Sequence, residues 1–118
     1  MTRIEQIAEA ALAGDSLILR SLTQDFLREH PDLTQFTKPD IHNEQILAAA
    51  ASFIELFAER QQQSPPAWTA EVGPLPQSIY LLKSAQTMQR LRHLCETESP
   101  EPLRKRGFYA PPNYLTFV

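Results

Sequence analysis

Asn43-Glu44-Gln45-Ile46-Leu47-Ala48-Ala49-Ala50-Ala51-Ser52-Phe53-Ile54-Glu55-Leu56-Phe57-Ala58-Glu59-Arg60-Gln61-Gln62 is the stretch that decides the fold. Ile46, Leu47, Ala50, Phe53, Ile54 and Phe57 recur at helical spacing and make a broad apolar face. Ala48, Ala49, Ala50 and Ala51 are small enough to let a neighbouring helix approach closely. The pattern predicts a helix over residues 43–62, with Ile46, Ala50, Phe53 and Phe57 facing inward together with Leu22 and Phe26, and Trp68 mostly buried against this group.

Two further helices precede it. Thr2 and Glu5 form a T-x-x-E capping box, and Ile4, Ile7, Ala8, Ala11 and Leu12 repeat at helical spacing up to Gly14, a natural C′ residue. A first helix is therefore predicted over residues 3–13. Asp15 or Ser16 then caps a second, to about residue 29, whose stripe is Leu19, Leu22 and Phe26, widened by Ile18 and Leu27. Pro31 stops it, and the polar link over residues 32–40 reads as loop.

Beyond residue 63 the texture changes. Only Pro31 and Pro39 of the ten prolines come earlier; the other eight follow. Ala67-Trp68-Thr69 lies in a proline-flanked stretch, where Trp68 should anchor the loop because its large ring needs burial. Ile79-Tyr80-Leu81-Leu82 is too short for periodicity to assign. A fourth helix runs to about residue 96 on Met88, Leu91, Leu94 and Cys95, capped by either Ser84 or Ser78. Ser99 before Pro100 fits an N-cap with a proline at the first helical position, giving a short fifth helix over residues 100–106 that ends at Gly107. The chain then closes on an uncharged, largely apolar run, residues 108–118. The expected fold class is all-α: one small helical domain of about five helices, residues 1–118, with a Pro-rich connection and an apolar, extended C-terminal tail.

The 118 residues carry 42% apolar and 21% charged side chains, enough for one core without metal or disulfide staples. A net charge of −3 argues against a dedicated nucleic-acid binder. The lone Cys95 excludes an internal disulfide and a multi-cysteine zinc site. No apolar run is long enough to span a membrane, and the amphipathic N-terminus does not read as a secretory signal, so a cytoplasmic location is expected.

Candidate chemistry is sparse. His30, His42 and His93 fall in no metal-binding spacing, and His93 and Cys95 lie on different faces of one helix. The three glycines form no phosphate-cradling loop. Asp25 with Glu29, and Glu55 with Glu59, stand one turn apart and are expected on solvated faces. With no ligand set or nucleophile–base constellation, no metal, no organic cofactor and no catalytic turnover are expected. The charge distribution says more. Residues 1–63 hold five basic and ten acidic groups, whereas residues 64–118 hold six basic and four acidic. Arg90, Arg92, Arg104, Lys105 and Arg106 supply most of that cationic character. Tyr80, Phe108, Tyr109 and Tyr114 offer aromatic contacts in the same half.

Pro66-Ala67-Trp68-Thr69, Leu91-Arg92-His93-Leu94-Cys95 and Ser99-Pro100-Glu101-Pro102-Leu103-Arg104-Lys105-Arg106-Gly107-Phe108-Tyr109 together resemble a group of small bacterial helical proteins. Those proteins share a P-A-W-T element, an L-R-x-L helix and a P-x-x-[FL]-R-x-R-G ending, and are often encoded beside nucleotidyltransferase-like toxins. The likeness covers residues 64–115 and implies an antitoxin or accessory role, naming no catalytic residue. Pro111-Pro112 departs from the group, in which a further short helix follows the R-G ending.

Two functional readings follow. One is a non-enzymatic protein-interaction module, most concretely an antitoxin binding a toxin-like protein, or the chain pairing with itself as a homodimer. Its contact residues would be Arg104, Lys105, Arg106, Phe108, Tyr109, Tyr114 and Phe117, since arginines and aromatics dominate interface energetics. The other is a small nucleic-acid-binding regulator, against which the acidic first half stands. The tail itself has two possible fates, contact surface or part of the domain's own core.

Overall fold

A computed structural model describes residues 3–116. The chain order is α1 (Ile4–Ala13), α2 (Ser16–Glu29), α3 (Glu44–Arg60), a 3-10 turn (Ala67–Glu71), β1 (Ile79–Tyr80), a second 3-10 turn (Lys83–Gln86), α4 (Gln89–Glu98), α5 (Glu101–Arg104) and β2 (Phe108–Tyr109). The fold is all-α, with one minimal strand pair.

Helix α3 is the axis of the molecule. The side chain of Asn43 caps it, accepting from the Gln45 and Ile46 amides at 2.9 and 3.1 Å. From Ala48 to Ala58 every residue is buried, so the helix is enclosed on all sides rather than on one broad face. α1 packs against it most extensively, and α5 and the Ala67–Glu71 turn also close over it. Phe53, Ala50 and Phe57 point inward as the spacing predicts, whereas Ile46, Leu22 and Trp68 are only partly buried. Enclosure also takes in two polar residues. Ser52 donates to the Ala48 carbonyl at 2.8 Å, and Glu55 lies inside, not on the solvated face expected of it.

The first helix begins one step later than the capping box suggests. Arg3 occupies the N-cap position, its amide bonded to Gln6 Oε1 at 2.8 Å, while its guanidinium pairs with Glu5 at 2.8 Å. Thr2 lies outside the described residues. Gly14, at φ 75°, closes the helix in the left-handed conformation that costs glycine least. On α2, Asp15 is the cap and accepts from the Ile18 amide at 3.2 Å. Ile18 does not widen the buried stripe: it is 51% exposed, and Thr23 takes the inward place instead. The loop that follows is tied down by two side chains. Gln63 bonds the Leu33 amide and the Pro31 carbonyl at 2.8 and 2.7 Å, and Trp68 Nε1 donates to the Phe36 carbonyl at 2.8 Å.

In the second half, β1 and β2 pair in parallel, Ile79 beside Phe108 and Tyr80 beside Tyr109. That resolves the apolar run after Ser78. Neither Ser84 nor Ser78 caps the fourth helix; a 3-10 turn intervenes, and α4 starts at Gln89 with Met88 as its flanking residue. Met88 is exposed, so Cys95 is the one fully enclosed member of the predicted stripe, with Leu91 and Leu94 half-buried. Ser99 is not the N-cap of the fifth helix either: Pro100 holds that position, and Ser99 stands at the C-cap of α4. Its buried hydroxyl accepts from the Ala110 amide at 2.9 Å and lies within bonding reach of the Cys95 and Ala110 carbonyls, pinning the end of α4 to the chain beyond β2. α5 is a single turn, flanked by Pro100. Phe108, Ala110, Tyr114 and Leu115 are buried, so the described part of the tail folds back into the core, the second of its two possible fates. Among the described residues, no helix is long and apolar enough to cross a membrane.

Candidate functional site

The basic triplet is split by burial. Arg104 is exposed and donates to the Thr97 carbonyl at 3.3 Å. Lys105 is 46% exposed and reaches Glu55 Oε1 at 2.7 Å. Arg106 is 2% exposed and therefore unavailable to a partner. Of the aromatic candidates, Phe108 is fully buried and Tyr114 packs its ring 6.3 Å from that of Phe53, where burial pushes its phenol pKa up. Tyr109 stays half-buried, and Phe117 lies outside the described residues.

Arg106 and Glu55 form a bidentate pair, Nη1 to Oε1 and Nη2 to Oε2, both at 2.9 Å. The guanidinium also donates to three backbone carbonyls: Thr69 at 2.7 Å, Val72 at 3.1 Å and Pro102 at 3.2 Å. A planar fork with five donors is suited to this geometry, and lysine is not. Burial by itself would raise the Glu55 pKa. The hydrogen bonds from Arg106 and Lys105, with the Arg106 charge, outweigh it and hold the carboxyl at about 2.

The P-A-W-T and R-x-R-G elements, distant in sequence, thus meet on one carboxylate. Their shared role here is to lock α3, the Ala67–Glu71 turn and α5 together. A signal for this exists in the sequence: between Ile46 and Ala58 the only polar residues are Ser52 and Glu55. A helix apolar all round is buried, and a carboxylate on it needs a cationic partner.

This cluster is ill-suited to proton transfer near neutral pH, because Glu55 is held ionised with both oxygens occupied. The Cys95 thiol is buried and its pKa is pushed up by that burial, which lowers its thiolate content. No group of three or more His, Cys, Asp or Glu side chains among the described residues is arranged to hold a metal ion.

Two surface features remain. The first is an aromatic–cationic patch. The Tyr80 and Tyr109 rings lie 5.3 Å apart, brought together by the strand register, and Arg92 of α4 sits 5.3 Å above the Tyr80 ring. Glu96 accepts from the Tyr80 hydroxyl and from Arg92 Nε at 3.2 Å. Both bonds lower the Glu96 pKa, and the bond to Glu96 raises that of Tyr80. Met88, one turn before Arg92, is 57% exposed. Tyr80 and Arg92 are visible in the sequence as an aromatic and a cation; their convergence is not. The second feature is a groove of about 510 Å³ between the end of α3, the Pro65–Pro66 segment and α5, into which Glu59, Glu101 and Lys105 project.

No protein-family model, no curated protein and no solved structure matches the chain.

Proposed function

We propose that the chain is a non-catalytic protein-binding module, most concretely an antitoxin or accessory protein that restrains a toxin-like partner. The observation that supports this reading is the Tyr80–Tyr109 pair with Arg92 over the Tyr80 ring, and an exposed Met88 one turn before Arg92. Tyrosine, arginine and methionine are the residue types enriched where proteins bind one another. Arg104 and Tyr109 keep their place in the proposed contact surface; Arg106, Phe108 and Tyr114 leave it, because the domain uses them internally. The toxin-like character of the partner rests on the resemblance of the P-A-W-T and R-x-R-G elements.

The test is co-expression with the nucleotidyltransferase-like product of a neighbouring gene, followed by size-exclusion chromatography and a growth assay. A co-eluting complex and relief of toxicity are expected. Tyr109→Ala and Arg92→Glu, at unchanged melting temperature, should each weaken the complex about 30-fold, the effect of a hot-spot residue worth about 2 kcal/mol. A complex indifferent to both changes would move the interface elsewhere. Absence of a complex, together with a salt-dependent mobility shift on DNA or RNA, would replace the reading with that of a nucleic-acid-binding regulator.

A further inference from the structure

The groove beside the buried ion pair differs from the aromatic patch in shape, charge and position. At about 510 Å³ it falls within the range of roughly 300–1,000 Å³ typical of sites that hold small ligands or short segments. One wall is Pro65, Ala67 and Ala70; Pro102 of α5 forms part of another. Prolines fix their own backbone angles, so these walls need little ordering when something binds.

The charges decide what that occupant is. Lys105 and Arg106, the cations at this place, are both committed to Glu55, at 2.7 and 2.9 Å. An anion entering the groove would have to compete with a buried carboxylate already held by three hydrogen bonds. Glu59 on α3 and Glu101 on α5 are different. Both are exposed and both line the groove; Glu59 feels the charge of the adjacent Arg60, and neither carboxylate takes part in the Glu55 cluster. Two exposed carboxylates on separate walls, neither engaged by Lys105 or Arg106, over an apolar lining, favour a cation attached to an aliphatic stem, which is the chemistry of an arginine or lysine side chain.

We infer that this groove is a docking site for a short basic segment of a protein partner, whose arginine or lysine is held between Glu59 and Glu101 while its backbone lies along the proline wall. The site is separate from the Tyr80–Tyr109 face, so the outcome here is independent of the antitoxin reading.

The experiment is a titration of the isotopically labelled full chain with a capped alanine pentapeptide bearing arginine at its second and fourth positions, followed by amide chemical shifts. Shifts clustered at Glu59, Ala67, Ala70, Glu101 and Lys105 are expected. Glu59→Gln combined with Glu101→Gln should weaken binding about tenfold and leave the melting temperature unchanged, since both carboxylates are exposed. Affinity should also fall as salt is raised. The inference is overturned if the peptide produces no shifts at millimolar concentration, or if they fall outside the groove. It is equally overturned if the double variant binds as well as the parent, or if a glutamate-bearing counterpart binds as tightly.

Discussion

Arg106→Ala tests the central claim about stability. The substitution removes five hydrogen bonds: two to Glu55 and one each to the carbonyls of Thr69, Val72 and Pro102. Removing one partner of a buried ion pair costs about 3–5 kcal/mol, because the other charge is left desolvated. The buried carbonyls of Thr69 and Pro102, and the partly buried one of Val72, would add about 1–3 kcal/mol each if they stayed dry. They need not stay dry, because Thr69 and Pro102 line the open groove and water can follow the missing side chain. Lys105 also remains on Glu55. The net loss should therefore lie near the ion-pair value, about 4 kcal/mol, a large share of the roughly 5–15 kcal/mol available to a domain. Urea denaturation measures it directly.

A second arm separates pairing from packing. Glu55→Leu with Arg106→Met should lose less than Arg106→Ala alone, since no unpaired charge remains inside. The acid limb gives a third reading. Glu55 has a folded pKa of about 2 against 4.5 for a free glutamate, so its contribution is complete above about pH 4.5 and is lost as pH falls through 2. At about 1.4 kcal/mol per unit, that is about 3 kcal/mol of acid sensitivity, which should shrink sharply in the double variant. A loss below about 1 kcal/mol for Arg106→Ala, with an unaltered acid limb, would refute the reasoning.

Three further outcomes follow from the same packing. Truncation after Gly107 removes the buried Phe108, Ala110, Tyr114 and Leu115, so the isolated chain should lose its cooperative thermal transition; a truncated chain with an unchanged melting temperature would show that the tail is dispensable to the core. Gly107→Ala places a Cβ 3.4 Å from the Gln77 carbonyl at φ +92°, and should destabilise by about 1–3 kcal/mol in urea melts. Thr23→Val should raise the melting temperature, by an amount equivalent to about 1 kcal/mol, because the Thr23 hydroxyl is buried without a hydrogen-bond partner.

What the sequence by itself determined is local. The inward phase of Phe53 and Phe57, a cap at Asp15 or Ser16, the stop before Pro31 and the close at Gly14 each depend on residues within a turn or two, where spacing and side-chain chemistry leave little choice. Tertiary structure decided the rest, because the deciding contacts join residues far apart in the chain. Glu55 is buried because Arg106 arrives 51 residues later to neutralise it. Ser99 clamps the end of α4 rather than N-capping α5 because Ala110 presents its amide to it. Tyr80 and Tyr109 make a surface because two two-residue strands pair in register, which neither strand's sequence requires. The apolar tail looks the same in the sequence whether it covers a partner or its own core. Only the packing of Tyr114 against Phe53 chooses the core, since apolar surface is buried wherever a complementary face lies within reach.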